Sequence, residues 1–289
     1  MKLSIALLAG DGIGPEVIDQ AVKVSNAIAK KFNHEISWKP GVERLDPEIM
    51  ESIDAVVNLG GATTGRIPWT KNYMQTLISS RLDTTRTLVD AINASKNQPK
   101  VLVSGSASGI YGDRGDELLD ETAGKGEGFL SDLASAWEAE AQKANTRVVL
   151  ARTTLVMSKK LGALGRLLPL IKAGIGGPLG SGNQSWAWIS LEDEARAIIH
   201  LIDNDETTGA YNLTAPEPAT CKEMVVALGK ALKSPTFFRV PSWAMRLLVG
   251  VAADELLLCS QKMTATKLLS TGFEFNHPTL KDAVDYVVS

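Results

Sequence analysis

Short apolar runs with almost no polar interruption alternate along this chain with longer stretches whose apolar positions recur every three to four residues. Lys2–Ala9, Asp54–Leu59, Lys100–Val103 and Arg147–Thr153 are of the first kind. A strand covered on both faces reads this way, because neither side of its pleat meets water. Glu35–Trp38 predicts one more strand. The second kind comprises Val17, Ile18, Ala21, Val22, Ala27 and Ile28, then Trp69–Ala94, whose Leu77, Leu82, Leu88, Val89 and Ile92 share a face, then Phe129–Ala144. That spacing predicts helices. Asp46-Pro47-Glu48 predicts the cap and first turn of a short helix ending near Ser52. Strand and helix in alternation predict an α/β fold, a Rossmann-like doubly wound parallel sheet. From Leu161 the pattern changes, and a helix around Met224–Leu232 and the apolar stretch Trp243–Val251 predict a smaller C-terminal lobe. The expected division is 1–157 for the sheet lobe and 158–289 for the smaller lobe, with elements of the second returning to the first.

Composition narrows the function classes. With 289 residues, 44% hydrophobic and 22% charged, the chain can bury a full core without staples. The formal net charge of −3 and the lack of a Lys/Arg block give no electrostatic footprint for nucleic acid or an anionic membrane. Cys221 and Cys259 have no CxxC spacing, so neither a zinc site nor a disulfide framework is expected. The N-terminal apolar run Ile5–Ala9 is far shorter than the roughly 20 residues of a spanning helix. The expectation is a cytoplasmic monomer or homodimer that binds a small molecule.

Candidate chemistry collects where predicted strands end. In open α/β sheets ligands bind beyond the carboxyl ends of the strands, which places Ser104, Ser106, Ser108 and Tyr111 at that rim. After the first strand, Gly10, Asp11, Gly12 and Ile13 lead into a helix whose N–H groups attract phosphate. The loop has no GxGxxG, and Asp11 and Glu16 repel an incoming anion, so weakened dinucleotide affinity is expected. Gly60 and Gly61, after the third strand, let a ligand approach the backbone. Gly174 to Gly182 form a glycine-rich loop followed by Gln184, Trp186 and Trp188, expected to wall a substrate cleft, with Asp193 capping the next helix.

DAVVNLGGA at Asp54, SSRLDTTRTLV at Ser79, SGSASGIYGD at Ser104, AWEAEA at Ala136, GGPLGSGNQSWAWISLED at Gly176, NLTAPEP at Asn212, RVPSWAMRLLVG at Arg239 and GFEFNHPTLKDAV at Gly272 are together specific. Over about residues 53–288 the chain resembles the extended, atypical short-chain dehydrogenase/reductases, in particular the NAD-dependent or sugar-nucleotide epimerase-like family. The resemblance implies NADP(H) or NAD(H) bound near Leu59, Gly60, Gly61 and Arg81, with Thr154 or Leu155 near the nicotinamide and substrate held by the second lobe. Lys39 and Arg44 lean toward NADP. That superfamily uses a Tyr-x-x-x-Lys dyad, but counting back from Glu138 puts Leu130 and Ala134 at its positions. Tyr111 with Ser106 is the remaining acid/base candidate on the rim. The first forty residues resemble instead the opening of isopropylmalate and isocitrate dehydrogenases, and the short spacing from Trp38 to Asp54 predicts that one strand and helix of the usual Rossmann half are missing.

Overall fold

The uninterrupted apolar runs become the middle of one parallel sheet. The structure is a computed structural model that describes residues 2–8, 17–20, 22–23, 26, 35–40, 50–159 and 162–289. Its main sheet contains β1 (Lys2–Leu8), β2 (Glu35–Pro40), β3 (Ala55–Asn58), β4 (Val101–Ala107), β5 (Arg147–Thr153) and β6 (Gly209–Leu213). The spatial order is β6-β5-β4-β3-β1-β2 and every pairing is parallel. The chain builds outward from β1 to β2 on one side, then returns to lay down β3 to β6 on the other. The reversal between β1 and β3, where Leu8 pairs with Asn58, is the switch point at which such sheets bind ligands. Among the described residues β2 is the edge strand on this side, and the stretch directly after it lies outside them. The predicted helix at 46–52 falls mostly outside the described residues.

Neighbouring residues of a strand point to opposite faces, and both faces here are covered. Val57, Val103, Val149 and Ala151 pack with Val17, Ile18 and with Ile198 and Leu201 of α4 (Leu191–Asp203). Val56 and Leu102 pack on the opposite side with Leu88, Val89 and Ile92 of α1 (Lys71–Ala94). Burying one such side chain contributes about 1.5–3 kcal/mol, which is why these strands tolerate so few polar residues. Thr70 caps α1 by accepting the Tyr73 N–H, and α2 (Phe129–Ala141) lies beside it.

A second core joins α3 (Gly162–Lys172), α5 (Cys221–Ala231) and α7 (Leu280–Val288) around Leu164, Leu168, Ile171, Met224, Leu228, Val284 and Val287. Thr220 with Glu223 and Thr279 with Asp282 form capping boxes at the starts of α5 and α7. Elements after residue 158 do return to the main sheet, as β6 and α4. The C-terminal stretch also packs forward: Met245 and Val249 of α6 (Ser242–Val249), with Ala252 and Ala253, meet Ala62, Trp69, Leu77 and Leu133. Among the described residues no helix is long and apolar enough to cross a membrane.

Candidate functional site

At the carboxyl end of β3 the apolar run stops at Asn58, which is buried and organises the turn that follows. Its Nδ2 donates to Thr85 Oγ1 of α1 at 3.0 Å, and its Oδ1 accepts the Gly60 N–H at 3.1 Å. Thr85 Oγ1 also accepts Trp137 Nε1 from α2 at 2.9 Å. Leu59-Gly60-Gly61 is thereby fixed against two helices. A Cβ on Gly61 would lie 2.9 Å from Cζ of Arg81, so any larger residue here would have to displace the guanidinium. Arg81 Nη1 donates to the Ala62 and Leu77 carbonyls at 3.1 Å each, and the guanidinium lies 5.2 Å from the Trp137 ring centroid. Among the described residues no carboxylate pairs with it. Burial lowers its pKa to about 10, with Tyr73 acting weakly in the other direction. It is therefore a partly buried guanidinium that meets no counter-charge among the described residues.

The loop beyond is held by its own carbonyls: Tyr73 Oη donates to Thr63 O at 2.7 Å and Trp69 Nε1 to Thr64 O at 3.0 Å. Arg66 stacks 5.0 Å from the Tyr73 ring, and an Arg166 nitrogen would lie 3.5 Å from a Cβ on Gly65. These two arginines escape sequence reading because the first sits in a turn and the second on a helix distant in sequence.

The rim of β4 to β6 is polar in a different way. Ser106 pairs in register with Arg152, and Arg152 with Asn212. Arg152 Nε and Nη2 donate to the two Glu138 oxygens at 2.8 and 3.0 Å, and Ser106 Oγ donates to Glu138 Oε1 at 2.6 Å. Arg152 Nη1 donates to Tyr111 Oη at 2.7 Å, and Tyr111 Oη donates to Asn212 Oδ1 at 2.7 Å. Burial works against the Arg152 charge, but its hydrogen bonds to Glu138 and the charges around it push its pKa upward overall. Tyr111 is 0% exposed, and burial raises its pKa despite Arg152. Both acid/base candidates are engaged inside the protein: burial keeps the Tyr111 phenol protonated while its hydroxyl donates to Asn212 and accepts from Arg152, and the Ser106 hydroxyl donates to Glu138. Leu130, at the expected tyrosine position, sits against Gly109, and its N–H donates to Glu255 Oε2 at 3.0 Å. Ala134, at the lysine position, is buried with Ile110 and Leu119.

Ser104 is buried, its hydroxyl 3.4 Å from the Gly105 carbonyl. Thr154 Oγ1 donates to Leu213 O at 2.8 Å, and the half-buried Leu155 pairs with Trp188. Beside them Thr153 Oγ1 donates to Glu194 Oε1 at 2.7 Å, while Glu194 Oε2, also buried, has no partner among the described residues. Burial, opposed by Thr153, raises the Glu194 pKa to about 8, so it is mostly protonated at neutrality. Gly10, Asp11, Gly12, Ile13 and Arg44 lie outside the described residues.

The stretch after the glycine-rich loop packs inward. Trp186 and Trp188 belong to the second core, with Trp188 fully buried, and Gln184 donates to the Leu179 and Leu257 carbonyls. All three thus contribute to this core, and the buried Trp188 Nε1 has no partner among the described residues. Asp193 is not the cap of α4. Ser190 is, and its Oγ accepts the Asp193 N–H. The buried Asp193 carboxylate accepts the Asn276 and His277 N–H groups, fastening the C-terminal segment to α4.

A model of the NAD dependent epimerase/dehydratase family matches residues 30–214, and one of a domain of unknown function, DUF1731, matches residues 240–287. The epimerase family protein ML0860 of Mycobacterium leprae is 38% identical over 298 residues, spanning 100% of this chain and 96% of that protein. The epimerase family protein SAR0825 of Staphylococcus aureus is 36% identical over 267 residues, spanning 90% of this chain and 86% of that one. The crystal structure of human epimerase family protein SDR39U1 (isoform 2) with NADPH is similar with a TM-score of 0.87 and 28% identity, covering 100% of this chain and 99% of that one. UDP-glucuronic acid 4-epimerase from Bacillus cereus shares the fold, with a TM-score of 0.73 at 16% identity and coverage of 100% and 98%. The alignment with the Mycobacterium leprae relative spans the first forty residues as well, and β1 pairs with β3 in the common sheet; the resemblance of this segment to isopropylmalate dehydrogenase finds no support in these comparisons. The chain belongs to the NAD-dependent epimerase/dehydratase family.

Proposed function

We propose that the protein binds NADP(H), or NAD(H), across the rim at the switch point and acts as an epimerase- or oxidoreductase-like protein on a sugar nucleotide or similar small polar metabolite. The observation that carries this reading is Arg81, a partly buried guanidinium with no carboxylate partner among the described residues, lying close against Gly61. Desolvating a cation without a partner is costly, and a phosphate-bearing ligand would supply a counter-charge through charge-assisted hydrogen bonds. The NADPH held by SDR39U1, a structure of the same fold at 28% identity, supports the choice of dinucleotide. In this reading Arg81 holds a phosphate oxygen, while Leu59, Gly60 and Gly61 border the dinucleotide together with Gly10, Asp11, Gly12 and Ile13. Ser104, Thr154 and Leu155 border its nicotinamide end. The bound dinucleotide would supply hydride transfer; the chain's part is to hold it and to exclude water from the rim.

A second reading, a nucleotide-sensing or partner-binding protein without turnover, is favoured by one observation. Leu130 and Ala134 occupy the dyad positions, and the hydroxyl of Tyr111 is already fully bonded. Titration of the purified protein with NADPH, followed by quenching of tryptophan fluorescence, tests the binding claim. Arg81→Gln is expected to weaken binding about 10- to 100-fold, the value of one charge-assisted contact, and Arg81→Lys to recover part of it. Unchanged affinity in Arg81→Gln would refute the assignment. Conversion of a panel of sugar nucleotides, or its absence with dinucleotide bound, decides between the two readings.

A further inference from the structure

The Phe237–Val251 stretch presents its largest apolar side chains to solvent. In α6, Met245 and Val249 point inward, but Trp243 is 68% exposed, Leu247 78% and Leu248 72%, with Val251 following beyond the helix end. Phe237, 73% exposed, precedes them beside Phe238, the two rings 4.6 Å apart. Residues 174–180 run alongside: Gly180 N donates to Val240 O at 2.8 Å, Val240 N to Pro178 O at 3.1 Å, and a Cβ on Gly177 would strike the Phe238 carbonyl. That neighbour brings the exposed Ile175 to the same face. Contiguous apolar surface of this kind on a folded protein marks an interaction site.

The charge around it is one-sided. No Asp or Glu occurs between Glu223 and Asp254, nor between Glu140 and Glu192, although the whole chain is net negative. Asp254 is taken up by Arg246 at 3.0 Å. Lys172 adjoins Ser234, whose hydroxyl bonds its carbonyl, and Lys230, Lys233 and Arg239 follow on the same stretch, all exposed. Among the described residues none of these four has a carboxylate partner. We propose that this face docks the protein peripherally on an anionic lipid surface, with Phe237, Phe238, Trp243, Leu247 and Leu248 entering the interface and Lys172, Lys230, Lys233 and Arg239 meeting the headgroups. Aromatic and leucine side chains on one side of a short helix, flanked by cations, are the composition that such surfaces retain. Against a second copy of the chain the same cations would face each other. Side chains that stand proud, instead of lining a groove, suit a deformable surface better than a shaped one. The sequence expectation of no membrane contact rested on the net charge and on the lack of a contiguous Lys/Arg block, and cations spread over two separate stretches escape both.

Cosedimentation of the full chain with vesicles of phosphatidylcholine, and with vesicles of equal parts phosphatidylcholine and phosphatidylglycerol, tests the proposal. Binding to the anionic vesicles alone, declining with salt, is expected. Leu247→Glu with Leu248→Glu, both on the solvent side of α6, should abolish it while leaving thermal unfolding unchanged. Lys233→Gln with Arg239→Gln should weaken it on the order of tenfold or more at low salt. No sedimentation with anionic vesicles at low salt would overturn the proposal. So would vesicle binding indifferent to Leu247→Glu and Leu248→Glu. A protein–protein complex or a concentration-dependent dimer that the leucine changes disperse, without vesicle binding, would reassign the face and overturn it equally.

Discussion

Arg152 and Arg81 stand on the same rim of the same sheet and have opposite surroundings. Arg152 meets both oxygens of Glu138, and burial of its charge is outweighed, so its pKa rises. Among the described residues Arg81 meets carbonyls and a ring face but no carboxylate, and its pKa falls. A buried charge answered from within the chain is architecture, whereas one left unanswered is a place for something the chain does not contain. The same division separates two glutamates. Glu255 accepts the Phe129 and Leu130 N–H groups at the start of α2, at 2.8 and 3.0 Å, while Glu194 keeps one buried oxygen without a partner among the described residues.

If this division holds, the answered groups report in stability and the unanswered ones in ligand affinity or pH response. The largest effect is expected from Arg152→Met, which leaves the buried Glu138 without its cation and with the Ser106 hydroxyl as its remaining donor. Breaking such a pair costs about 3–5 kcal/mol, seen as a lowered midpoint in urea unfolding. Replacing the pair together, as Arg152→Met with Glu138→Leu, should recover much of that loss. Should the single change cost under about 1 kcal/mol, the interior network would not be structural in the sense argued.

The sequence made the strands legible because burial on both faces leaves a continuous apolar signature, and helix α1 because its inward positions are strictly periodic. The polar rim was legible only by position. Ser106 and Tyr111 follow a strand and so look like site residues, but the groups that occupy them lie 32 and 101 residues away, beyond any local pattern. Asp193 looks like a cap because it starts a helix; Ser190 three residues earlier is the stronger signal, the spacing of a capping hydroxyl to an acid at the third helical position. Glu194 could have been found. It shares the inward stripe of α4 with Ile198 and Leu201, and a carboxylate on an apolar stripe is either paired or perturbed. Arg81 was reached by family likeness, and its lack of a counter-ion could be seen only in three dimensions.

Glu194 offers the next largest effect. Its folded pKa of about 8 lies above the ordinary 4.5, so between those values the folded state keeps a proton that the unfolded chain releases. Its contribution to stability is complete below about 4.5, is lost as pH rises toward 8, and is level above. The slope is about 1.4 kcal/mol per pH unit at most, giving a few kcal/mol across the window. Glu194→Gln should therefore flatten the fall in thermal midpoint between pH 5 and pH 8. A wild-type profile that Gln leaves unaltered would mean that Glu194 is ionised and answered by a group the described residues do not include.

Glu255→Gln comes third. The amide keeps one acceptor oxygen for the start of α2 but loses the charge that the helix N-terminus favours, so about 1 kcal/mol is expected. For a chain of this size that is a few degrees in the midpoint of thermal unfolding. The change also tests whether the 240–287 segment locks α2, since proteolysis within Gly124–Phe129 should accelerate along with it.

The smallest stability effect is expected where the ligand effect is greatest, at Arg81. Replacing it with Gln removes a desolvated cation that nothing in the described chain neutralises, which favours folding. It also risks the two donated bonds to Ala62 and Leu77, each contributing about 0.5–1.5 kcal/mol net. The Gln amide can keep one donor, so the gain and the loss nearly cancel and the ligand-free protein should unfold within about 1 kcal/mol of wild type. Saturating NADPH should then raise the wild-type midpoint far more than the mutant's, because stabilisation by a ligand follows its affinity. A mutant that loses several kcal/mol without ligand would show that Arg81 is answered inside the fold after all. It would then belong with Arg152 as part of the architecture, and the distinction between the two arginines would fail.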